Sequence, residues 1–144
     1  MTKTFQIFAD YHQFYIQDDD RSFGDLSKAW TKEASERMLA LAPHVVGVGT
    51  WRNSKVSVSI NISEKRPDVS GIAFDVINEC TIQIDTGRLV LAGCTDYFPD
   101  AERFQLVPGP YNVLIGYKGL RTISKNGLDG DDSYHLYLWS GAPT

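Results

Sequence analysis

The sequence has 144 residues, enough for one ordinary domain, and we predict a single domain over residues 1–144. A hydrophobic fraction of 42% excludes a disordered chain. No window approaches the ~18 apolar residues of a membrane span. The first residues show no basic region followed by an apolar run, so we expect no secretory signal and a cytoplasmic location.

The net charge of −4 is distributed unevenly along the chain. Residues 1–27 have five acidic and two basic side chains. Residues 28–66 have three acidic and seven basic ones, and residues 67–144 have ten acidic and five basic ones. Direct binding of nucleic acid needs Lys and Arg to replace the phosphate counterions, and the overall balance argues against it. An acidic surface suits a basic protein partner, although a solvated surface is the ordinary role of a charged run.

The first third of the chain predicts two strands and one helix. Phe5–Phe8 and His12–Gln17 have the aromatic and β-branched content of short strands, and a polar loop follows them. A short α-helix is predicted over residues 31–42, where Thr31 can cap the first turn and a proline forbids continuation. Spacings of four and three residues put three apolar side chains on one face of this helix: Ala34, Met38 and Leu41.

From residue 45 onward the apolar residues repeat with a period of two. In Val56–Ile62 every apolar side chain points to one face and every polar one to the other. Further strands are predicted at residues 45–50, Gly71–Val76, Cys80–Ile84, Arg88–Leu91, Phe104–Val107, Tyr111–Tyr117 and Tyr134–Trp139. A tight turn at residues 85–87 joins two of these strands.

Roughly nine short strands with one early helix predict a mainly β fold, an antiparallel β-sandwich of about eight or nine strands. Strands and helices do not alternate along the chain, which argues against a doubly wound parallel sheet.

No pattern of a catalytic or metal site occurs in the sequence. The histidines His12, His44 and His135 lie outside metal-ligand spacing of one another, and a His-Glu-x-x-His or Cys-x-x-Cys pattern is missing. A nucleophile elbow, a Walker loop and a dinucleotide-binding fingerprint are missing as well. We therefore predict a non-enzymatic protein with no metal and no cofactor.

The two cysteines, Cys80 and Cys94, are fourteen residues apart. Free cysteine is among the most buried residue types, so we expect two small buried thiols in a reducing compartment. A disulfide or a reactive thiol is the alternative.

Acidic side chains gather in three predicted loops. They are Asp18, Asp19 and Asp20; Asp96, Asp100 and Glu102; and Asp129, Asp131 and Asp132. The second loop also contains two aromatic residues, and exposed aromatics beside acids are typical of binding hot spots. We predict that these carboxylates form an acidic face for a partner. The alternative is a solvated loop for the first and third loops, and for the second a loop whose aromatics fold back to cover a sheet edge. If the first and third loops meet at one end of the sandwich, they bring six carboxylates together.

A second hypothesis is a small-ligand or carbohydrate-binding β-sandwich module. Asp129–Asp132 resembles a fragment of a calcium loop, but its glycine comes too early for an EF-hand and no helices flank it. In this hypothesis Trp51, Tyr97 and Trp139 shape a calcium-assisted site. An enzyme with carboxylate chemistry is a third hypothesis, for which spacing alone pairs no nucleophile with a base.

Several short motifs together resemble a known family. Tyr11-His12-Gln13-Phe14, Trp30 at the opening of the predicted helix, and Arg52-Asn53 before an apolar strand are similar to the competence protein J (ComJ) family of bacterial nuclease inhibitors. The order of the later strands and the Pro108-Gly109-Pro110-Tyr111 turn are similar too. The resemblance covers most of the chain.

The resemblance implies a non-enzymatic protein that holds a DNA-entry nuclease inactive by forming a complex with it. Carboxylates that imitate phosphate spacing can meet the basic cleft of such a nuclease. For Tyr11, Phe14 and Trp30 we expect a structural role in the core, and for Arg52-Asn53 a role in a turn, while the orientation of His12 stays open. The exposed strand edges of a sandwich also allow self-association.

Overall fold

The computed structural model describes residues 2–20, Leu26 and residues 28–141, so the predicted polar loop after the second strand lies largely outside the described residues. The strands, in chain order, are β1 (Thr2–Phe8), β2 (Gln13–Asp18), β3 (Leu39–Ala42), β4 (Val45–Gly49), β5 (Lys55–Ser63), β6 (Val76–Ile84), β7 (Arg88–Gly93), β8 (Glu102–Gln105), β9 (Gly109–Lys118) and β10 (Ser133–Ser140). One short helix, α1, spans Lys32–Arg37.

The ten described strands form two five-stranded sheets, which confirms the predicted β-sandwich. Sheet 1 has the order β1-β5-β10-β9-β6, and sheet 2 has the order β3-β4-β2-β7-β8. The pairs are antiparallel with the exception of β5 and β10, which run parallel. These two strands are far apart in sequence, so no hairpin turn imposes an antiparallel direction on them.

The core lies between the two sheets and is filled by alternate residues of the strands. The regular alternation of β5 buries Val56, Val58 and Ile60, which belong to the same cluster as Phe14 and Ile16 of sheet 2. Tyr117 and Tyr134 of sheet 1 are also fully buried, and their rings pack edge to face with centroids 5.8 Å apart. The period of two read from the sequence therefore identifies the side chains that join the sheets.

The helix ends five residues earlier than predicted. Thr31 caps it as expected, because the Ala34 N–H donates to the Thr31 hydroxyl at 3.2 Å. Met38 then adopts a left-handed conformation with φ of 62°, and residues 39–42 leave the helix to form β3 beside β4. Of the predicted apolar stripe, Ala34 and Met38 are buried but Leu41 is 40% exposed, because the strand buries Leu39 and Ala40 instead.

The predicted strand at Gly71–Val76 is also wrong, because regular pairing begins only at Val76. The segment before it crosses the outer face of sheet 1 and places the Phe74 ring over Gly116. A Cβ at Gly116 would lie 2.5 Å from that ring, so the glycine provides the space that the phenylalanine occupies.

His135 lies beneath this covering segment. Its ring contacts the Phe74 ring at a centroid distance of 5.5 Å, and its two nitrogens hydrogen-bond the hydroxyls of Ser59 and Ser133 at 2.8 Å. Burial, with a smaller effect of Lys118, lowers the pKa of His135 below its ordinary value of 6.5. The folded protein therefore favours the neutral imidazole.

This lowered pKa predicts a pH-dependent stability. Because the unfolded state binds a proton at higher pH than the folded state, the His135 contribution is complete above pH 6.5 and is lost as the pH falls below it. We expect His135→Gln to flatten the dependence of the free energy of unfolding on pH in this interval. Urea titrations above and below pH 6.5 test this, and an unchanged slope in the variant would contradict it.

Both cysteines are free. Cys80 is partly buried, and burial raises its pKa to about 12, so its thiolate is scarce at neutral pH. Cys94 is exposed, in contrast to the prediction of two buried thiols, because it follows β7 directly in an open turn. The described residues contain no helix with the length and apolar character needed to traverse a lipid bilayer.

Candidate protein-binding site

An acidic cleft of about 530 Å³ runs along β1, at the edge of sheet 1. Its lining residues are Thr4, Phe5, Gln6, Ile7, Leu91, Asp96, Tyr97, Asp100, Ala101 and Glu102. They include three carboxylates and no lysine or arginine, so the cleft is uniformly negative. The structure thus brings together the three acids of the second predicted loop.

A tight turn after β7 positions the first of these acids. Asp96 accepts a hydrogen bond from the Gly93 N–H at 2.8 Å, and its own N–H donates to the Gly93 carbonyl at 3.1 Å. Asn and Asp favour such turns because their side chains bond to nearby backbone groups. The adjacent Tyr97 has 68% of its surface exposed and is available to a partner.

Asp100 is the last residue of a single 3-10 turn at Phe98–Asp100, and Glu102 begins β8 just after it. Phe98 is buried against Val90 and Ala92 on the outer face of sheet 2, which anchors the loop. Arg103 lies over the Phe98 ring at 5.2 Å and donates hydrogen bonds to three carbonyl oxygens of the loop. The loop is therefore fixed from its outer side, and its carboxylates face the cleft from a rigid frame.

Asp19 belongs to this frame and takes no part in the lining. It accepts hydrogen bonds from Arg103 Nε at 3.0 Å and from Arg88 Nε at 2.8 Å. The Arg103 bond, with a smaller contribution from Arg88, outweighs burial and holds the pKa of Asp19 below its ordinary value. Its charge is compensated within the protein, which removes Asp19 from the predicted acidic face as a free carboxylate. Its neighbour Asp20 is partly buried and its carbonyl accepts a bond from Gln17.

Asp18 is completely buried, so the prediction that it contributes to an acidic face is wrong. Its carboxylate accepts hydrogen bonds from the Asp85 N–H at 2.6 Å, the Thr86 N–H at 3.1 Å and the Thr86 hydroxyl at 2.6 Å. The predicted turn at residues 85–87 is therefore present, but it carries the chain from β6 in sheet 1 to β7 in sheet 2. Asp18 clamps this crossing in place of the hairpin bonds that two paired strands would provide.

Asp18, His44 and Asp85 form the group of described residues that approaches metal-ligand spacing. His44 Nδ1 lies 2.9 Å from the Gln83 carbonyl, which can only accept, so Nδ1 carries the proton. Asp18 lies on this protonated side at 3.4 Å, whereas Asp85 lies 3.7 Å from Nε2 on the other side. The free lone pair of this imidazole is therefore on Nε2, the side of Asp85. A metal ion bound there would lie away from Asp18 and would have only one of the two acids as a ligand. The geometry suits a clamp better than a metal site.

The third acidic loop is divided between the surface and the interior. Asp129 and Asp131 are exposed, but Asp132 is buried and pairs with the buried Arg52 at 2.5 Å between Nε and Oδ1. The other Asp132 oxygen accepts the Tyr134 hydroxyl at 2.6 Å. Both oxygens are thus engaged, so Asp132 cannot act as the predicted partner contact or calcium ligand without breaking the pair.

The first and third loops lie at opposite ends of the sandwich, so the six predicted carboxylates do not meet. Thr50 bonds to His12 just before β2, and Arg52 joins this end to Asp132. Asp18 lies at the far end of β2, about 17 Å away at the usual rise per residue.

The aromatics of the ligand-binding hypothesis are separated as well. Tyr97 lines the acidic cleft, and Trp51 lines a second groove described below. Trp139 is buried under Arg66 on the outer face of sheet 1. The structure does not assemble these three side chains into one site.

The motif residues of the ComJ resemblance gather at one end of the sandwich, around an aromatic groove of about 320 Å³. Among its lining residues are Tyr11, His12, Gln13, Trp30 and Trp51. The Trp30 indole donates to the Gln13 side chain at 3.0 Å, and a Cβ at position 47 would collide with the Trp30 ring. Nearby, Phe14 fills the core, Arg52 is buried and Asn53 is exposed.

The expectation of a core position is wrong for Tyr11, which is 68% exposed. Tyr11 and His12 have φ of 59° and 58°, two consecutive left-handed residues without glycine. Such backbone is costly and is found preferentially at binding sites. His12 is exposed as well, which settles its orientation.

The sequence interpretation missed one wall of the acidic cleft, formed by Thr4–Ile7 of β1. The sequence does show a strand here with polar residues on one face. Such a pattern does not reveal whether the strand lies at the edge or in the middle of a sheet.

The whole fold is similar to those of known structures. ComJ from Bacillus subtilis, an inhibitor of the DNA degrading activity of NucA, superposes with a TM-score of 0.71 over 97% of this chain and 95% of its own. The chain has the ComJ fold. A second structure, crocagin biosynthetic gene J, superposes with a TM-score of 0.66 over 98% and 97% of the two chains.

The sequence identities to these two structures are 17% and 18%, so the likeness is one of fold. No protein-family model matches the chain. No curated protein matches it either. The ComJ resemblance read from the sequence is confirmed as a likeness of fold, and roles at the site need their own argument.

Proposed function

We propose that this chain is a non-enzymatic inhibitor that binds a DNA-degrading nuclease through the acidic cleft. The observation that carries the proposal is the uniform negative charge of that cleft, with Asp96, Asp100 and Glu102 on a rigid loop. The likeness to ComJ over nearly the full length of both chains favours a nuclease as the target class. The cytoplasm suits such a protein because both of its cysteines are unpaired.

Electrostatics supply the mechanism. A nuclease holds the phosphates of DNA with lysine and arginine, and an inhibitor that presents carboxylates at similar spacing competes for the same side chains. Complementary charge also accelerates encounter of the two proteins, especially at low salt. Tyr97 is exposed beside the acids and supplies apolar contact area, as aromatic residues do in interface hot spots.

The lining of the cleft favours binding over catalysis. It contains no histidine, cysteine, serine or lysine, so the side chains that most often act as nucleophile or base are missing from it. The exposed Asp100 and Glu102 have no ion-pair partner within residues 2–20, 26 and 28–141. Their charges are therefore available to a basic partner.

We expect the immobilised chain to deplete DNA-degrading activity from a lysate of the cells that produce it, and the captured nuclease to be inhibited by added free chain. The triple variant D96N/D100N/E102Q should bind the nuclease about ten- to a hundredfold more weakly, because it removes the charge complementarity. Affinity and its salt dependence are measured by titrating nuclease activity.

The matched control is E64Q/D129N/D131N, which removes three exposed charges outside the cleft and produces the same net charge. It should inhibit like the unmodified chain. The proposal is wrong if the chain retains no nuclease, or if the two triple variants weaken inhibition equally.

A further inference from the structure

The outer edge of β1 has no strand beside it among the described residues. β1 pairs with β5 on one side and is the terminal strand of sheet 1. An open edge presents unpaired N–H and C=O groups and can accept a further strand. In this protein the acidic cleft lies along that edge.

The register of β1 and β5 shows which backbone groups point into the cleft. The Ala9 N–H donates to the Ser54 carbonyl at 2.8 Å, which continues the pairing of Phe8 with Lys55 by one residue. In an antiparallel ladder every second residue bonds to the neighbouring strand. The backbone N–H and C=O groups of Phe5 and Ile7 therefore point towards β5. Those of Thr4 and Gln6 point outward, away from β5.

The two sheets come close together at the Phe8 end of β1. Near Phe8 the two sheets approach so closely that a Cβ on Gly93 would lie 2.4 Å from the Phe8 carbonyl oxygen. Thr4 and Gln6 line the cleft together with the acidic loop. This part of the edge thus combines outward backbone groups with three carboxylates.

We propose that this edge binds an extended, lysine- and arginine-rich segment of a partner protein as an additional strand of sheet 1. Thr4 and Gln6 supply backbone hydrogen bonds, and Asp96, Asp100 and Glu102 bind the basic side chains. Charge complementarity selects this occupant, because the lining holds acids and no base. The inference rests on the proposed function for the class of partner and adds the mode of binding.

A second copy of this chain is a poorer occupant of the same edge. Pairing of two β1 strands would bring the acidic loops of both copies to one interface and set three carboxylates against three. Like charges at an interface are unfavourable, whereas a basic strand neutralises them. An edge lined in this way disfavours self-association and favours a basic partner.

The test uses a short capped peptide in which lysine and valine alternate. Two further peptides carry N-methyl groups on the lysine amides or on the valine amides, so that each loses the donors along one edge only. Strand addition requires one edge of the peptide, so one methylated peptide should bind like the parent and the other about tenfold more weakly. A peptide with glutamate in place of lysine should not bind.

A variant of the chain provides an independent measurement. Gln6→Pro removes an outward N–H without loss of a bond to β5, and edge strands tolerate proline. It should weaken binding of the lysine-valine peptide about tenfold, whereas Gln6→Ala, which keeps the N–H, should change it less than about twofold. Circular dichroism and the urea midpoint check that both variants are folded, and the methylated peptides test the same bonds without any change to the chain.

Calorimetric titration at low ionic strength decides between the outcomes. Equal binding of the two methylated peptides, or no binding of the parent peptide, overturns strand addition. A dimer of the chain that Gln6→Pro dissociates, seen by light scattering, overturns it in favour of a second copy. If the peptides bind as expected but the chain retains no nuclease, the strand-binding edge is supported and the nuclease is the wrong target. If the chain inhibits a nuclease but the peptides do not bind as expected, the inhibitor function is supported and strand addition is wrong.

Discussion

Replacement of Asp132 by asparagine is expected to lower the free energy of unfolding by about 3–5 kcal/mol, the usual cost of breaking a buried ion pair from one side. The Arg52 guanidinium would keep its charge in a buried position with its carboxylate partner removed. Urea denaturation followed by tryptophan fluorescence measures the loss.

A double-mutant cycle separates the pair from its surroundings. Arg52→Met removes the charge from the other side, and the variant R52M/D132N removes both charges, so its loss should be smaller than the sum of the single losses. The exposed neighbour Asp131 is the matched control, and Asp131→Asn should stay within about 0.5 kcal/mol of the unmodified chain. Equal effects at positions 131 and 132 would contradict the structural role of the buried carboxylate.

Asp18→Asn is expected to cost about 3 kcal/mol of stability, although the side chain keeps its size. Both Asp18 oxygens accept hydrogen bonds from the Asp85–Thr86 turn, and an amide nitrogen in place of one oxygen would face a donor instead of accepting from it. The crossing between the sheets would lose part of its clamp. Thermal and urea denaturation measure the effect.

The adjacent Asp19 offers a control of the same residue type. It is bonded to Arg88 and Arg103, which are partly exposed, so Asp19→Asn should cost less than Asp18→Asn. Because Asp18 is buried, the folded fraction of Asp18→Asn should inhibit the proposed nuclease target like the unmodified chain. A loss of inhibition without a loss of stability would show that Asp18 contacts the partner after all.

These predictions separate acids that hold the fold from acids that are available for binding. Asp18, Asp19 and Asp132 have protein partners, whereas Asp96, Asp100 and Glu102 line one cleft. Of the nine acids predicted to form an acidic face, the proposed binding surface keeps the three that line the cleft. Its rigidity comes from Arg103, which bonds to the loop on one side and to Asp19 on the other.

Local patterns in the amino-acid sequence predict most of the strands and the start of the helix. The period of two in Val56–Ile62 gives the buried face of β5, and the hydroxyl of Thr31 gives the start of the helix. These features depend on residues within one or two turns of chain, which is the range over which patterns can be read. The composition and the order of strands also gave the sandwich.

Only the tertiary structure decided which acids are buried and which strand is an edge. Asp132 pairs with Arg52 over a separation of 80 residues, and Asp18 bonds to Thr86 over 68. The end of the helix at Met38 follows from the pairing of residues 39–42 with β4, which competes successfully with a helical pattern of the same residues. Contacts between distant segments change the energy of a side chain without changing its sequence neighbourhood, so no local pattern records them.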